Sequence, residues 1–148
     1  YNLEYTIFRF FNTYGPKQSK DFVISKFIRA ALKNDPITIY GDGSQTRTFC
    51  FIDDNIEACT NAFYRNMYIN DVVNVGGTIE IPILEVAKTI IRLTSSKSEI
   101  RFVDPLEEGD MTRRKPDTTK MSKLMNRDLV TFEDGISRVI NDTAYILQ

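Results

Sequence analysis

The chain has 148 residues, 42% hydrophobic and 26% charged, a single domain's length with enough apolar material for a sizeable core. Nineteen Lys and Arg against 20 Asp and Glu leave a net charge of −1, which excludes a strongly basic nucleic-acid surface. Histidine is absent and only Cys50 and Cys59 carry thiols, which excludes His acid–base chemistry, Ser-His-Asp triads, His-ligated metals, a zinc site built on cysteine alone and a secreted disulfide scaffold.

Tyr5 to Phe11 is rich in aromatic and β-branched residues and reads as a strand, stopped by Asn12-Thr13-Tyr14-Gly15-Pro16. A helix is predicted from about Phe22 to Lys33. Ile24, Ile28, Ala31 and Leu32 share one face, widened by Val23 and Phe27, and Asn34-Asp35-Pro36 ends it. Ile37 to Tyr40 alternates as a short strand, and Gly41-Asp42-Gly43-Ser44 is a turn. Thr48 to Ile52 reads as one strand buried on both faces. Asp54 then stands as a helix N-cap with Glu57 three residues on, a capping box, and Ile56, Cys59, Ala62 and Phe63 form that helix's apolar stripe.

Val72 to Val75 is a strand ended by Gly76-Gly77, and Pro82 opens a helix whose buried face is Ile83, Ala87, Ile90 and Ile91. A strand at Glu99 to Val103, a charged loop from Glu107 to Pro116 and a short helix at Thr119 to Met125 follow. A last helix runs from Thr131 to near Leu147, with Phe132, Ile136, Val139 and Ile140 inward. Strands alternating with helices predict an α/β class with some parallel pairing. No apolar run approaches the ~20 residues of a membrane span and no signal peptide is visible, so a cytoplasmic protein with no membrane partner is expected. The chain does not begin with Met, which suggests a piece of a longer protein.

Four clusters offer chemistry. Asn12, at the C-terminal end of a strand, either donates to a phosphate or sugar oxygen or caps a turn. The run from Tyr40 to Arg47 resembles a phosphate loop but has two glycines and no following Gly-Lys-Ser/Thr, and a hairpin turn explains it equally. Arg47 itself either grips a pyrophosphate or carboxylate with its fork or makes a surface salt bridge. Arg113-Arg114-Lys115 is either solvated surface or the completion of an anion site with Arg47. Asp53-Asp54 has the composition of an acid–base or Mg²⁺ pair, but the helix start explains it better. No tyrosine has Lys at the fourth position after it, so a Tyr-Lys acid–base pair is absent from this sequence.

Taken in order, several segments resemble the C-terminal portion of the extended short-chain dehydrogenase/reductase family, the NAD-dependent nucleotide-sugar epimerases, dehydratases and decarboxylases. They are Arg9 to Pro16, Ile39 to Arg47, Phe51 to Asp54, Asn74 to Gly77 and Arg113 to Lys120. The string through Gln45-Thr46-Arg47 and the Arg-Lys-Pro-Asp element are most similar to the UDP-glucuronate decarboxylase branch. The sequence departs from the family at Lys17 to Asp21, which is short, at Glu107-Glu108, and at Leu124-Met125-Asn126, where the family has Leu-Gly-Trp.

The resemblance implies a Rossmann-type parent whose parallel sheet includes the strands at Tyr5–Phe11 and Val72–Val75, with residues 1–148 forming its sugar-nucleotide-binding portion. It implies that Asn12 contacts the nucleotide-sugar, that Val23 and Phe27 wall the nucleotide, and that Thr38 to Tyr40 lie along the base. By the same resemblance Arg47 grips the pyrophosphate, Arg114 approaches it, and Thr13, Tyr14 and Pro16 border the nicotinamide end of NAD. The Gly-rich NAD loop and the Tyr-Lys pair belong upstream of this portion. This chain is therefore expected to bind a UDP-sugar or another NDP-sugar, to hold no NAD alone and not to turn over alone. An exposed edge or face on those two strands is expected to drive a homodimer or swapped assembly. The rival reading is a stand-alone, non-catalytic nucleotide-sugar or protein-binding module; a nucleic-acid binder is disfavoured by charge.

Overall fold

A computed structural model describes residues 1–105 and 113–142. Glu107-Glu108, Tyr145 and the predicted end of the last helix lie outside the described residues. In chain order the elements are β1 (Thr6–Phe11), β2 (Thr13–Tyr14), α1 (Val23–Lys33), β3 (Ile37–Tyr40), β4 (Thr46–Thr48), β5 (Cys50–Phe51) and α2 (Ile52–Tyr64). They continue with β6 (Asp71–Gly76), β7 (Glu80–Pro82), α3 (Ile83–Thr94), β8 (Ile100–Val103), β9 (Arg113–Arg114), α4 (Thr119–Ser122) and α5 (Phe132–Asn141). The β1–β6, β2–β5, β3–β8 and β4–β9 pairs are parallel, in line with the α/β expectation. Two compact units result: residues 1–14, 48–80 and 115–132 form the first, and residues 15–47, 81–114 and 133–148 the second.

In the first unit β1 lies parallel to β6, Thr6 opposite Asp71 through Phe11 opposite Gly76. Val73 and Val75 of β6 point into a core with Cys50, Ala58, Ala62, Met121 and Leu124, and Phe8 packs against it. The outer edge of β6 is covered by the segment around α4. Asn74 Nδ2 donates to the Asp117 carbonyl (3.1 Å), Lys120 Nζ to the Val72 carbonyl (2.9 Å), and the Gly76 N–H to Met121 Sδ (3.3 Å). Among the described residues the far edge of β1 pairs with no strand, and Ile7 and Phe10 are about half exposed.

Gly76 and Gly77 are set by close packing. A Cβ on Gly77 would collide with the Phe49 carbonyl oxygen, and one on Gly76 would meet Pro116 and Phe11 at 2.9 and 3.0 Å.

The predicted Thr48–Ile52 strand is two short strands with Phe49 between them, and Ile52 is already helical. The predicted capping box is also absent. Phe51 precedes α2 without a side-chain cap, and Asp53 and Asp54 lie inside the first turn, where negative charge complements the helix dipole. The stripe of α2 is shifted as well. Asp54, Asn55, Ala58 and Ala62 are buried, Cys59 is half-buried, and Ile56 and Phe63 are 55% and 76% exposed. Small residues at positions 58 and 62 let the helix approach the sheet closely, and buried polar groups at 54 and 55 take their place in the core.

In the second unit β3 pairs in parallel with β8, Ile37 opposite Ile100 through Tyr40 opposite Val103. Helices α1 and α3 pack on each other and on β3. Their buried residues are Ile24, Phe27, Ile28 and Ala31 on α1, and Ile83, Val86, Ala87 and Ile90 on α3. Each fully buried Ile or Val there contributes about 1.5–3 kcal/mol. Asn34 adopts φ 56° and closes α1 as a left-handed C-cap. Pro82 precedes α3 as its N-cap residue, one position earlier than predicted.

The turn at residues 41–45 is not a hairpin, since β3 and β4 do not pair with each other. Gly41 and Gly43 take φ 67° and 77°, and the Asp42 carboxylate accepts from Ser44 N–H and Oγ at 2.9 and 2.6 Å. These bonds hold the Asp42 carboxyl below its ordinary range. The loop's carbonyls then cap α3: Leu84 N–H donates to Gly43 O (3.1 Å) and Ile83 N–H to Gln45 O (3.0 Å).

Candidate nucleotide-sugar site

The second unit holds most of the residues singled out in the sequence: Pro16, Val23, Phe27, Thr38, Tyr40, Arg47 and Arg114. Parallel pairing of β4 with β9 sets Thr46 opposite Arg113 and Arg47 opposite Arg114. Arg47 is half-buried and Arg114 exposed, and Arg47 Nη1 donates to the Thr46 carbonyl at 2.8 Å. The register brings the two arginines to opposite positions of one ladder. On β3, Ile37 and Ile39 point inward, while Thr38 is exposed and Tyr40 is 47% exposed. Gln45 Nε2 donates to the Tyr40 carbonyl (3.0 Å) and fixes the strand's end. Val23 is half-buried at the start of α1, and Phe27, one turn on, is buried.

The first unit holds Asn12, Thr13 and Tyr14. Asn12 breaks the strand: at φ 41° it turns the chain from the β1–β6 pair to the β2–β5 pair, where Thr13 faces Cys50 and Tyr14 faces Phe51. Its side-chain Nδ2 donates to the Thr48 carbonyl (2.8 Å), and its carbonyl accepts from Cys50 N–H (3.2 Å). The Thr13 hydroxyl receives Asn55 Nδ2 at 2.5 Å. Tyr14 is 2% exposed, its ring set against Phe49, Phe51 and Phe132 at centroid distances of 6.3, 5.5 and 5.8 Å, with its hydroxyl donating to the Phe132 carbonyl (3.3 Å). The side chains of Thr13 and Tyr14 are thus committed inside the unit.

Three features of the first unit were not legible as site residues. Asn55 and Thr48 are buried, Asn55 bonded to Thr13 and Thr48 to Asn12 as above. Arg127 pairs with the buried Asp54 (Nη1–Oδ1 2.8 Å, as an ion pair without an aligned hydrogen bond) and with Glu57 (2.9 Å), while Asp54 Oδ2 accepts from Val130 N–H (3.0 Å). Asp53-Asp54 is therefore no metal or acid–base pair on this geometry, and no group of metal-binding side chains occurs among the described residues. Burial, with Asp54 adding to it, pushes the Cys50 thiol up to about 12, and burial raises Cys59. Neither sulfur is poised as a nucleophile.

Comparison with known proteins places this geometry. The family model described as the NAD dependent epimerase/dehydratase family matches residues 1–76. A UDP-N-acetyl-alpha-D-glucosaminuronate decarboxylase of Bacillus cytotoxicus is 39% identical over 93% of this chain and 46% of its own length. UDP-glucuronic acid decarboxylase 4 of Arabidopsis thaliana is 35% identical over 95% of this chain and 32% of its own. Among solved structures, the UDP-glucose 4-epimerase of Thermotoga maritima with UDP-glucose superposes with a TM-score of 0.90 at 26% identity, covering 100% of this chain and 48% of that one. The UDP-glucuronic acid 4-epimerase of Bacillus cereus in complex with UDP-glucuronic acid and NAD gives 0.84 at 29% identity, covering 93% and 44%. The chain spans between a third and a half of the length of the curated relatives it matches.

Proposed function

The chain belongs to the NAD-dependent epimerase/dehydratase family, and from that premise we propose that it is the nucleotide-sugar-binding portion of a longer enzyme acting on a UDP-sugar. The observation that carries the reading is the Arg47–Arg114 pair of β4 and β9. Each guanidinium presents a planar fork that matches phosphate oxygens bidentately, and two forks at opposite positions of one ladder suit the two phosphates of a diphosphate. In the same unit the exposed Tyr40 ring offers a stacking surface for a base, with Thr38 beside it on the strand and Val23 and Phe27 supplying apolar surface on α1. In the other unit Asn12 spends one amide N–H on Thr48 and keeps the second for a phosphate or sugar oxygen.

When bound to the parent, NAD supplies hydride acceptance and return. The groups that hold it and the proton-transferring pair are assigned to the rest of the parent, so this chain alone binds and orients without turning over. Made alone, the chain is proposed to associate with a second copy through the unpaired edge of β1, which sedimentation velocity reads directly.

Calorimetric titration with UDP, UDP-glucuronate and UDP-glucose, beside Arg47→Ala, tests the binding reading. Loss of a charge-assisted phosphate contact is expected to cost about 1.5–3 kcal/mol, a weakening of roughly 10- to 150-fold. Wild-type chain that takes up no UDP at millimolar concentration, or a variant that binds as wild type, overturns the assignment.

A further inference from the structure

Asn12 holds a left-handed backbone, φ 41°, between two strands. Asparagine tolerates that region better than most residues but does not prefer it to the exclusion of others, so the neighbours decide how firmly it is held. Two restraints come from the β4–β5 segment, through Thr48 O and Cys50 N–H. The third comes from α2. Asn55, 2% exposed in the first turn of that helix, donates Nδ2 to the hydroxyl of Thr13, the residue next to Asn12.

Asn55 is an expensive choice for a core position. Its Oδ1 is buried with no partner among the described residues, and so is the hydroxyl of Thr48, itself fully buried. A buried acceptor without a donor costs stability, whereas an apolar side chain of the same shape carries no such cost. Among the described residues its side chain bonds to Thr13. Residues that break a packing rule without a stability return concentrate where they position something else.

We infer that Asn55 is a positioning residue: its bond to Thr13 locks the left-handed Asn12 and so presents the Asn12 amide in a single orientation. The inference rests on the reading of Asn12 as a nucleotide-sugar contact. It adds a residue that touches no ligand and a cause for the fixed conformation at position 12. It also separates stability from binding. Leucine at position 55 keeps the branched shape, removes the orphaned oxygen and loosens Asn12, so the variant holds its stability while its ligand affinity drops.

The experiment uses the complete chain and three variants, Asn55→Leu, Thr13→Val and the double. The first readout is amide hydrogen exchange by NMR, comparing Cys50, whose N–H is held by the Asn12 carbonyl, with Val75 in the core of the same unit. The second is the Kd for UDP beside Tm. The lock predicts that each single variant speeds Cys50 exchange at least tenfold relative to Val75. It also predicts that Tm is not lowered in Asn55→Leu, that the Kd rises at least fivefold, and that the double variant adds little to either single one. An unchanged Cys50-to-Val75 ratio overturns the inference. So does a parallel acceleration of both amides with a fallen Tm, the signature of a merely structural role. Should Asn55→Leu fail to fold, Thr13→Val, which removes the same bond from its other side, decides by the same exchange ratio. Failure of the underlying reading looks different: UDP binding is then absent in the wild type, or unchanged in Asn12→Ala, while the exchange ratio reports on the lock.

Discussion

Replacing Arg114 by Gln should lower affinity for a diphosphate and leave the unliganded chain almost as stable as before. Arg47 and Arg114 are partners in the β4–β9 register. Arg114 is exposed, whereas Arg47 is half-buried and donates to the Thr46 carbonyl, so Arg114 is the cleaner residue to change. Gln keeps a polar end on a shorter stem, and changes to exposed side chains stay within about 0.5 kcal/mol, a Tm change of no more than about 2 °C for a chain of this size. Removing the charge-assisted contact should weaken UDP binding about tenfold or more. Scanning calorimetry reads the first effect. Titration with UDP in 20 and 300 mM salt reads the second, and the wild-type advantage should shrink at high salt as screening weakens the attraction between guanidinium and phosphate. An affinity that stays put refutes the claim that the pair exists for an anion, and so does an affinity lost together with many degrees of Tm, which is loss of the fold.

Further outcomes follow from groups outside that pair. Arg127→Met leaves the buried Asp54 carboxylate with the Val130 N–H; because Arg127 is itself 42% exposed, the loss should be about 1–3 kcal/mol, below the cost of breaking a fully buried pair, as read by urea unfolding. With native protein at pH 8, iodoacetamide should leave Cys50 unmodified and label Cys59 slowly, because burial holds both thiols protonated and Cys50 most strongly; rapid labelling of Cys50 by mass spectrometry would contradict its placement in the core. The Lys120 hydrogen bond, helped by the Val72 N–H, holds the Asp71 carboxyl below its ordinary value, so unfolded Asp71 binds its proton more readily than folded Asp71. That contribution is complete above about pH 4 and is lost as pH falls through the lower, folded value. Wild-type Tm should therefore drop more steeply between pH 5 and 3 than that of Asp71→Asn.

Where hydrophobic periodicity and function agree, the sequence was readable. The α1 face, the β3 alternation and the Val73–Val75 strand all follow from the spacing of Ile, Val and Ala, because in those elements burial alone decides which side faces in. On α2 the two separate. Ile56 and Phe63 carry the apolar signal yet face outward, while Asp54 and Asn55 are buried, and nothing in residue type announces that the first turn of this helix buries polar side chains. Burial of those two is decided by partners distant in the sequence, Arg127 and Val130 for Asp54 and Thr13 for Asn55. The break at Phe49 is illegible for a related reason. An apolar run satisfies one strand or two, and it is the left-handed Asn12 that moves the chain to a new pairing partner.

The glycine-rich loop at residues 41–45 carries the clearest lesson for the site. By composition it offers backbone to a phosphate, and phosphate loops work by aiming N–H groups at the anion from a helix N-terminus. Here the loop aims carbonyls. Gly43 O and Gln45 O take the Leu84 and Ile83 N–H groups, two of the donors through which the start of α3 would bind an anion, and a Cβ at Gly43 would press on Leu84 Cβ at 3.0 Å. The glycines let the loop seat itself on the helix, and the seat is already occupied. What the same stretch leaves for an anion is its last residue, Arg47, and β9 sets Arg114 opposite it. On the proposed reading, recognition of a diphosphate in the second unit falls to guanidinium forks and not to backbone, and so should be sensitive to single Arg substitutions in a way that a backbone cradle is not.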